Sequence, residues 1–403
     1  MKSLPINIEK IILKLTDENG IADLLNSSTI YLVGGFIRDS FLGKKPKDVD
    51  IIVKGLSVNE IKNILTPHGR VDIVGESFSV VKYKPAGWKD DIDVALPRID
   101  KKTGEGHKGF EVISNKNISI EEDLKRRDLT INSFCVNIET KDIIDPFNGL
   151  KDLQNKILRA TDKSAYIEDP LRIMRTIGFA SRFDFNIEKS TLKLMKDNAH
   201  LVKEISGERI LEEFEKVITK GNTQVALQLL HKTGVDIALF DKEMLHYDEG
   251  FDYLDTVSFY YMLGLIGDVD PYNFYMKRLR GKSEIGKAIK VLDNLITKWS
   301  QLKEDEDKKY LVFNSIKNAP EILNSALNPP GVDDIILEMR LNKIPMAKSD
   351  VQANGEDIMA IFGITKGEKV GKILERMYRD ALMNRFNWRD RQTTLEYVSN
   401  LKM

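Results

Sequence analysis

The chain has 403 residues, 42% hydrophobic and 31% charged, a balance that excludes a disordered polymer and a membrane-embedded bundle. With 61 Lys and Arg against 62 Asp and Glu, the net charge of −1 excludes a global attraction to polyanions, so a nucleic-acid partner must be held by local basic patches. The single cysteine, Cys135, excludes an intramolecular disulfide and a cysteine-rich metal site, and its apolar setting INSFCVNI reads as a small buried hydrophobe.

No apolar run approaches the roughly 18 residues of a spanning helix, and Glu9 and Lys10 interrupt the start of the chain, so a cytoplasmic protein without a membrane partner is expected. Such a length suggests about two to four domains. The first half alternates helices with β-rich segments. STIYLVGG, DVDIIV, RVDIVG, FSVVKY and DIDVAL are rich in Val and Ile and bounded by Gly, Pro or Asp, which predicts strands. Between the first two, FIRDSFLG predicts a short helix opening directly after Gly34 and Gly35. A strand, a side-chain-free turn and a helix start together leave unpaired amides that can cradle phosphate, and Arg38 in the first turns can reach the same group.

Asp48 and Asp50 follow in KPKDVDIIV. Strand positions two apart share a face about 6.6 Å apart, so these carboxylates form a pair of hard oxygen ligands. Magnesium suits such a pair, because it takes one or two carboxylates and fills its shell with water and substrate phosphate oxygens. Either feature alone is an ordinary turn; their order and proximity point to phosphate chemistry.

The turn DPFNG at Asp145–Gly149 predicts the end of the mixed region. Beyond it, SAYIEDPLRIMRTIGFASRF, LKLMKDNAHLVKEI and GERILEEFEKVI space apolar residues three and four apart, as amphipathic helices do. Further breaks are expected at residues 303–309, KEDEDKK, and 328–331, NPPG. The expected division is 1–145, 146–220, 221–310 and 311–403.

GGFIRDSFLG followed by KPKDVDIIV resembles the motif of the class II nucleotidyltransferases, the branch holding CCA-adding enzymes and bacterial poly(A) polymerases. The resemblance implies an α+β fold: a nucleotidyltransferase head with a small mixed sheet and flanking helices, then an all-helical neck, body and tail. It implies that Asp48, Asp50 and a third carboxylate are catalytic. Two Mg2+ ions would be held by Asp48 and Asp50. Asp93 in DIDVALPR matches the third position best, with Asp91 on the same face as the alternative. EEDLKRRDLTINSF resembles the second motif, which carries over nucleotide contacts to Arg127, Asp128 and Asn132, with Arg126 a further candidate. Residues 145–160 resemble a third motif that acts as a hinge. Residues 205–218 resemble a neck motif in which Arg209 and Glu212 support the neck by ion pairing.

EDPLRIMR, Glu168 to Arg175, resembles the family's nucleotide-selecting motif. Asp169 and Arg172, three apart behind Pro170, are expected to share a helix face. An aspartate accepts a hydrogen bond and an arginine donates one, which matches an exocyclic amine beside an unprotonated ring nitrogen. Cytosine and adenine carry that edge; guanine and uracil present the reverse. Each such contact discriminates by about 1 to 3 kcal/mol, so CTP and ATP should enter and GTP and UTP should not. The resemblance gives Glu168 an orienting role and places Arg175 with the nucleotide contacts.

The polar, glycine-punctuated stretch from 96 to 117 matches the flexible loop of CCA-adding members. Residues 258–281 lack the His-Asp pair of relatives with a phosphohydrolase domain, so no such activity is expected. Residues 352–385 resemble the tail of long CCA-adding enzymes, which implies tRNA contact by Lys366, Lys369, Lys372, Arg376, Arg379 and Arg385. The function implied is template-independent addition of CCA to tRNA from CTP and ATP, with no stable protein partner. An A-adding enzyme or a poly(A) polymerase shares every motif, and a noncatalytic nucleotide-sensing RNA-binding protein is the alternative of another class.

Overall fold

The computed structural model describes residues 3–74, 80–102, 110–245 and 252–401. They form two compact units, Met1–Glu243 and Met244–Met403. The boundaries expected near 145 and 220 fall inside the first unit, and that near 310 inside the second.

The first unit opens with α1 (Ile6–Thr16) and α2 (Asn19–Leu25), then β1 (Thr29–Val33), α3 (Gly35–Phe41), β2 (Val49–Lys54), α4 (Val58–Leu65), β3 (Gly69–Val74), β4 (Val80–Pro85) and β5 (Ile92–Ala95). β6 (Arg98–Lys102), β7 (Phe110–Ser114), α5 (Ile120–Lys125), β8 (Cys135–Asn137) and β9 (Ile143–Ile144) complete the mixed region. Its sheet has seven strands in the order β3-β4-β5-β2-β1-β8-β9. β2 runs parallel to β5 and antiparallel to β1, so the sheet is mixed, as expected.

Strand periodicity explains where the chemistry can sit. Ile30 and Leu32 of β1, Ile51 and Val53 of β2, and Ile92 and Val94 of β5 face a large core with Ile8, Ile12, Leu15, Ile21, Leu24, Ile61 and Leu65 from α1, α2 and α4. Each such side chain taken from water contributes about 1.5 to 3 kcal/mol. The alternate residues Tyr31, Val33 and Ile52 point to the opposite face, where only a small cluster with Ile120, Leu124 and Cys135 covers them. Asp50 and Asp93 alternate onto that less covered face.

Cys135 is fully buried, and burial pushes its thiol up to about 12. The thiolate is the reactive form. Alkylation of the folded protein at pH 8 is therefore expected to be at least about a hundredfold slower than in denaturant, a rate readable by intact-mass spectrometry; equal rates would show that this cluster does not close.

Two segments differ from expectation. Part of the polar 96–117 stretch forms an antiparallel ribbon, β6 with β7, in register from Arg98 opposite Ser114 to Lys102 opposite Phe110. In the sequence the glycines of this stretch fall at 104, 106 and 109, which leaves β-favouring Val112 and Ile113 in a glycine-free flank. The intervening 103–109 lies outside the described residues. The helix read from Ser164 to Phe183 breaks in two.

After α6 (Gly149–Gln154) come α7 (Ser164–Glu168), α8 (Leu171–Phe183), α9 (Lys189–Asn198), α10 (Gly207–Lys220), α11 (Thr223–Thr233) and α12 (Val235–Phe240). The break between α7 and α8 is Asp169-Pro170: a residue before proline is pushed out of the helical region, and Asp169 lies at φ −126°, ψ 91°.

The second unit is helical: α13 (Thr256–Ile266), α14 (Pro271–Asn273), α15 (Ser283–Trp299), α16 (Asp305–Asn318), α17 (Val332–Arg340), α18 (Gly355–Phe362), α19 (Glu368–Leu382) and α20 (Arg391–Ser399). No helix among the described residues is long and apolar enough to cross a membrane.

Candidate active site

The open face of the sheet carries the carboxylates. Asp50 stands opposite Asp93 in the parallel β2–β5 register, and Asp93 stands opposite Lys82 in the antiparallel β4–β5 register. Lys82 Nζ lies 3.3 Å from Asp93 Oδ1. Asp48 is exposed and precedes β2 by one residue. Asp91 precedes β5 and lies 3.9 Å from Arg70 Nη2. All four acids line a cavity of about 960 Å³ shared with Lys45, Lys47, Lys82, Lys84 and Lys89.

Burial, followed by the charge of Asp93, pushes the Asp50 carboxyl up to about 6, against the smaller pull of Arg127. A divalent cation would relieve this crowding of negative charge, and the hard oxygens of Asp48 and Asp50 fit magnesium. Among the described residues no three acidic, His or Cys side chains form a ready-made metal cage. Carboxylates completed by substrate oxygens are the usual arrangement for magnesium.

The β1–α3 turn abuts the carboxylates. Gly34 adopts φ 79°, and a Cβ there would stand 2.7 Å from Asp50 Oδ2, so glycine is required on both backbone and steric grounds. Gly35 begins α3. Arg38 is buried, bonds Asp39 through Nε at 2.9 Å and donates from Nη1 to Asn132 Oδ1 at 2.6 Å. Its guanidinium also lies about 5 Å from the rings of Phe179 and Phe183 on α8.

A cavity of about 430 Å³ adjoins this turn, lined by Gly34, Gly35, Arg38, Arg98, Arg126, Arg127, Asp128, Asn132, Asp169, Arg172, Arg175 and Arg209, with Leu171 and Phe179. The structure thus brings together the expected nucleotide residues, and seven arginines make the cavity suitable for phosphate. Glu168 ends α7 and is not among the lining residues.

The geometry redistributes roles within the set. Asp128 is buried and accepts from Arg175 Nε at 2.8 Å, Asn132 Nδ2 at 2.9 Å and the Leu129 amide at 2.8 Å. Burial opposes its charge, but Arg175 and Asn132 prevail and hold its carboxyl well below the usual range. Arg175 rises correspondingly, chiefly through Asp128. Asp128 and Asn132 therefore brace the cavity wall and connect Arg175 to Arg38.

Arg126 and Arg127 converge on Asp123, which is fully buried, at 2.7 and 3.0 Å. Sequence reading missed Asp123. Its place three and four residues before the two arginines, in a helix with apolar neighbours, is the signal that could have found it. Buried Glu213, within 4.0 Å of Arg175, was also missed.

Arg209, expected to support the neck, lines the cavity and pairs with Asp169 at 3.2 Å. Arg172 Nη1 is buried without a hydrogen-bond partner.

In the second unit, the arginines expected to face RNA pair with acids of the same unit. Asp380, nearly inaccessible, accepts from Arg376 Nε at 2.8 Å and also from Arg385 and Tyr397. Arg379 pairs with Asp307 and with Glu375, the latter at 3.2 Å. Lys372 pairs with Glu368 at 2.6 Å, whereas Lys366 and Lys369 are exposed, and among the described residues neither takes part in an ion pair.

Residues 30–159 match the family model described as the poly A polymerase head domain, and residues 184–244 match that described as a probable RNA and SrmB-binding site of polymerase A. Similar solved structures cover nearly the whole chain. The Bacillus stearothermophilus CCA-adding enzyme in complex with CTP is 21% identical with a TM-score of 0.73, over 99% of this chain and 97% of that one. A CCA-adding enzyme complexed with ATP is 23% identical with a TM-score of 0.69, over 98% and 96%. The Thermotoga maritima CCA-adding enzyme complexed with tRNA is 22% identical with a TM-score of 0.66, over 98% and 99%. Residues 30–159 are thus similar to poly A polymerase head domains, and the chain has the fold seen in these CCA-adding enzymes.

Proposed function

We propose that the protein is a nucleotidyltransferase that adds CCA to tRNA 3′ ends from CTP and ATP. The observation that carries this reading is the meeting, in one arginine-rich cavity, of the Gly34-Gly35 turn and the Asp169 and Arg172 pair, beside the carboxylates of Asp48, Asp50 and Asp93. The solved neighbours with CTP, ATP and tRNA support it.

In this reading the Gly34-Gly35 turn and Arg38, Arg127 and Arg175 surround the triphosphate, with Asp128 and Asn132 keeping the arginines in place. Asp169 accepts from the amine of cytosine or adenine, and Arg172 donates to the adjacent ring nitrogen. Uracil and guanine offer neither group its match and would leave the buried Arg172 Nη1 unpaired, which raises the discrimination. Asp48 and Asp50 would hold two magnesium ions, with Asp93 beside them. When bound, such ions activate the primer hydroxyl and neutralise the departing pyrophosphate. In this reading the protein acts in the cytoplasm, where tRNA and free nucleotides are available. Lys366, Lys369, Lys372, Arg376 and Arg379 of the tail would contact tRNA, with Lys366 and Lys369 exposed and, among the described residues, outside any ion pair.

The test offers the purified protein, with magnesium, three tRNA transcripts ending at the discriminator base, at C and at CC, followed by sequencing of the new 3′ ends. Completion to CCA on all three is expected. A alone on the CC transcript would make this an A-adding enzyme, long A tracts would make it a poly(A) polymerase, and no extension would leave a nucleotide-sensing RNA-binding protein.

A further inference from the structure

We infer that Arg209 is a positioning residue for base selection, holding Asp169 apart from Arg172 so that the two side chains address one base edge separately. The inference rests on the functional reading above.

Aspartate and arginine three residues apart on a continuous helix ordinarily pair with each other. Here Pro170 breaks the helix, and Asp169 falls in extended backbone at the end of α7. Its carboxylate turns to α10, where Arg209 Nη2 lies 3.2 Å from Oδ1 and 3.4 Å from Oδ2. Among the described residues no hydrogen bond or ion pair joins the side chains of Asp169 and Arg172. Arg172 keeps Nη1 buried and unpartnered at the wall of the same cavity.

This arrangement solves a problem that the base edge poses. A carboxylate and a guanidinium that pair with each other spend on one another the acceptor and the donor that a base would use. A single Nη2 between both Asp169 oxygens satisfies the charge but occupies only part of the carboxylate, which has about four lone-pair sites. The remainder can accept from an exocyclic amine. Arg172 retains its donor for the ring nitrogen. Without Arg209, the cations of the selecting motif left to draw the carboxylate are Arg172 and Arg175, the latter already raised in part by Asp169, and a pairing with Arg172 would spend the donor meant for the base.

The test is steady-state transfer to a CC-ending tRNA for ATP and GTP and to a C-ending tRNA for CTP and UTP. Arg209→Ala is expected to lower kcat/KM for CTP and ATP by about 10- to 100-fold, the range of one lost base contact. UTP and GTP should change by less than about threefold, so the CTP to UTP ratio collapses. Arg209→Lys, which restores the charge, should recover much of that ratio. The Asp169 and Arg209 side chains are each about one-third exposed, at 31% and 32%, so their pair contributes little to folding and the melting temperature should hold.

An equal loss for all four nucleotides, with the ratio intact, would overturn the inference. If the unaltered protein extends no RNA, the functional reading fails first. The same comparison then moves to equilibrium binding of CTP and UTP by calorimetry. There, a CTP preference in the unaltered protein that Arg209→Ala removes would support the positioning role, and its persistence or absence would end it.

Discussion

Asp50→Asn is expected to lower nucleotidyl transfer by at least about 10³-fold, or about 4 kcal/mol at 1.36 kcal/mol per tenfold, while the protein stays folded. Asparagine keeps the shape of the side chain and removes the anionic oxygen that the cation site needs. Its effect on stability should run the other way. The folded-state pKa of Asp50, about 6, lies above its ordinary value of 3.8 because of burial and Asp93, so the folded protein retains this proton between pH 4 and 6 and the unfolded chain does not. Stability from this group is therefore present at acid pH and lost as pH rises through 6. At pH 7.5 the ionised carboxylate costs the fold up to about 3 kcal/mol, from a shift of roughly two units. The neutral variant escapes that cost, so without added metal it should melt at or above the temperature of the unaltered protein. Gel extension assays and differential scanning calorimetry at pH 7.5 measure both effects. More than about a tenth of the activity remaining would remove Asp50 from the metal pair; a large fall in melting temperature would mean that its carboxylate holds the fold.

Asp128→Ala should do the opposite, acting on the fold before the chemistry. Arg175, held at 2.7 Å from Asp128, loses its principal counter-ion, and Asn132 Nδ2 and the Leu129 amide lose their acceptor. Removing one partner from a fully buried pair costs about 3 to 5 kcal/mol; with the Arg175 side chain 35% exposed to water, a loss of about 2 to 3 kcal/mol is expected. The depressed carboxyl of Asp128 also sets the pH dependence. Its stabilisation is fully present above the unfolded pKa near 4 and declines as pH falls below that toward the folded value. Acid should narrow the gap between the variant and the unaltered protein. Because the chain has two compact units, a single unfolding curve would mix transitions. Pulsed alkylation of Cys135 across a urea series reports on the first unit alone. A shift worth less than about 1 kcal/mol would show that Arg175 finds another partner, with Glu213 at 4.0 Å the nearest candidate.

The sequence by itself determined the features encoded within a few residues. Alternation in DVDIIV and DIDVAL predicts strands whose odd and even positions part onto two faces, and the sheet register then sets Asp50 beside Asp93. The Gly34-Gly35 turn ahead of a short helix was legible for the same reason, since glycine's positive φ is a local property. Pro170 carried its message too: it separates α7 from α8, and Asp169 and Arg172 line one cavity from the two sides of that break.

Tertiary structure decided every partnership between distant elements. Arg38 meets Asn132 across 94 residues, Arg175 meets Asp128 across 47, and Asp169 meets Arg209 across 40. In the tail, a basic run that reads as a surface for RNA supplies Arg376 and Arg385 to buried Asp380. Periodicity and turn chemistry are written in the backbone preferences of neighbouring residues. The partner of a long, flexible guanidinium depends instead on which carboxylate the packing of another helix leaves buried within its reach.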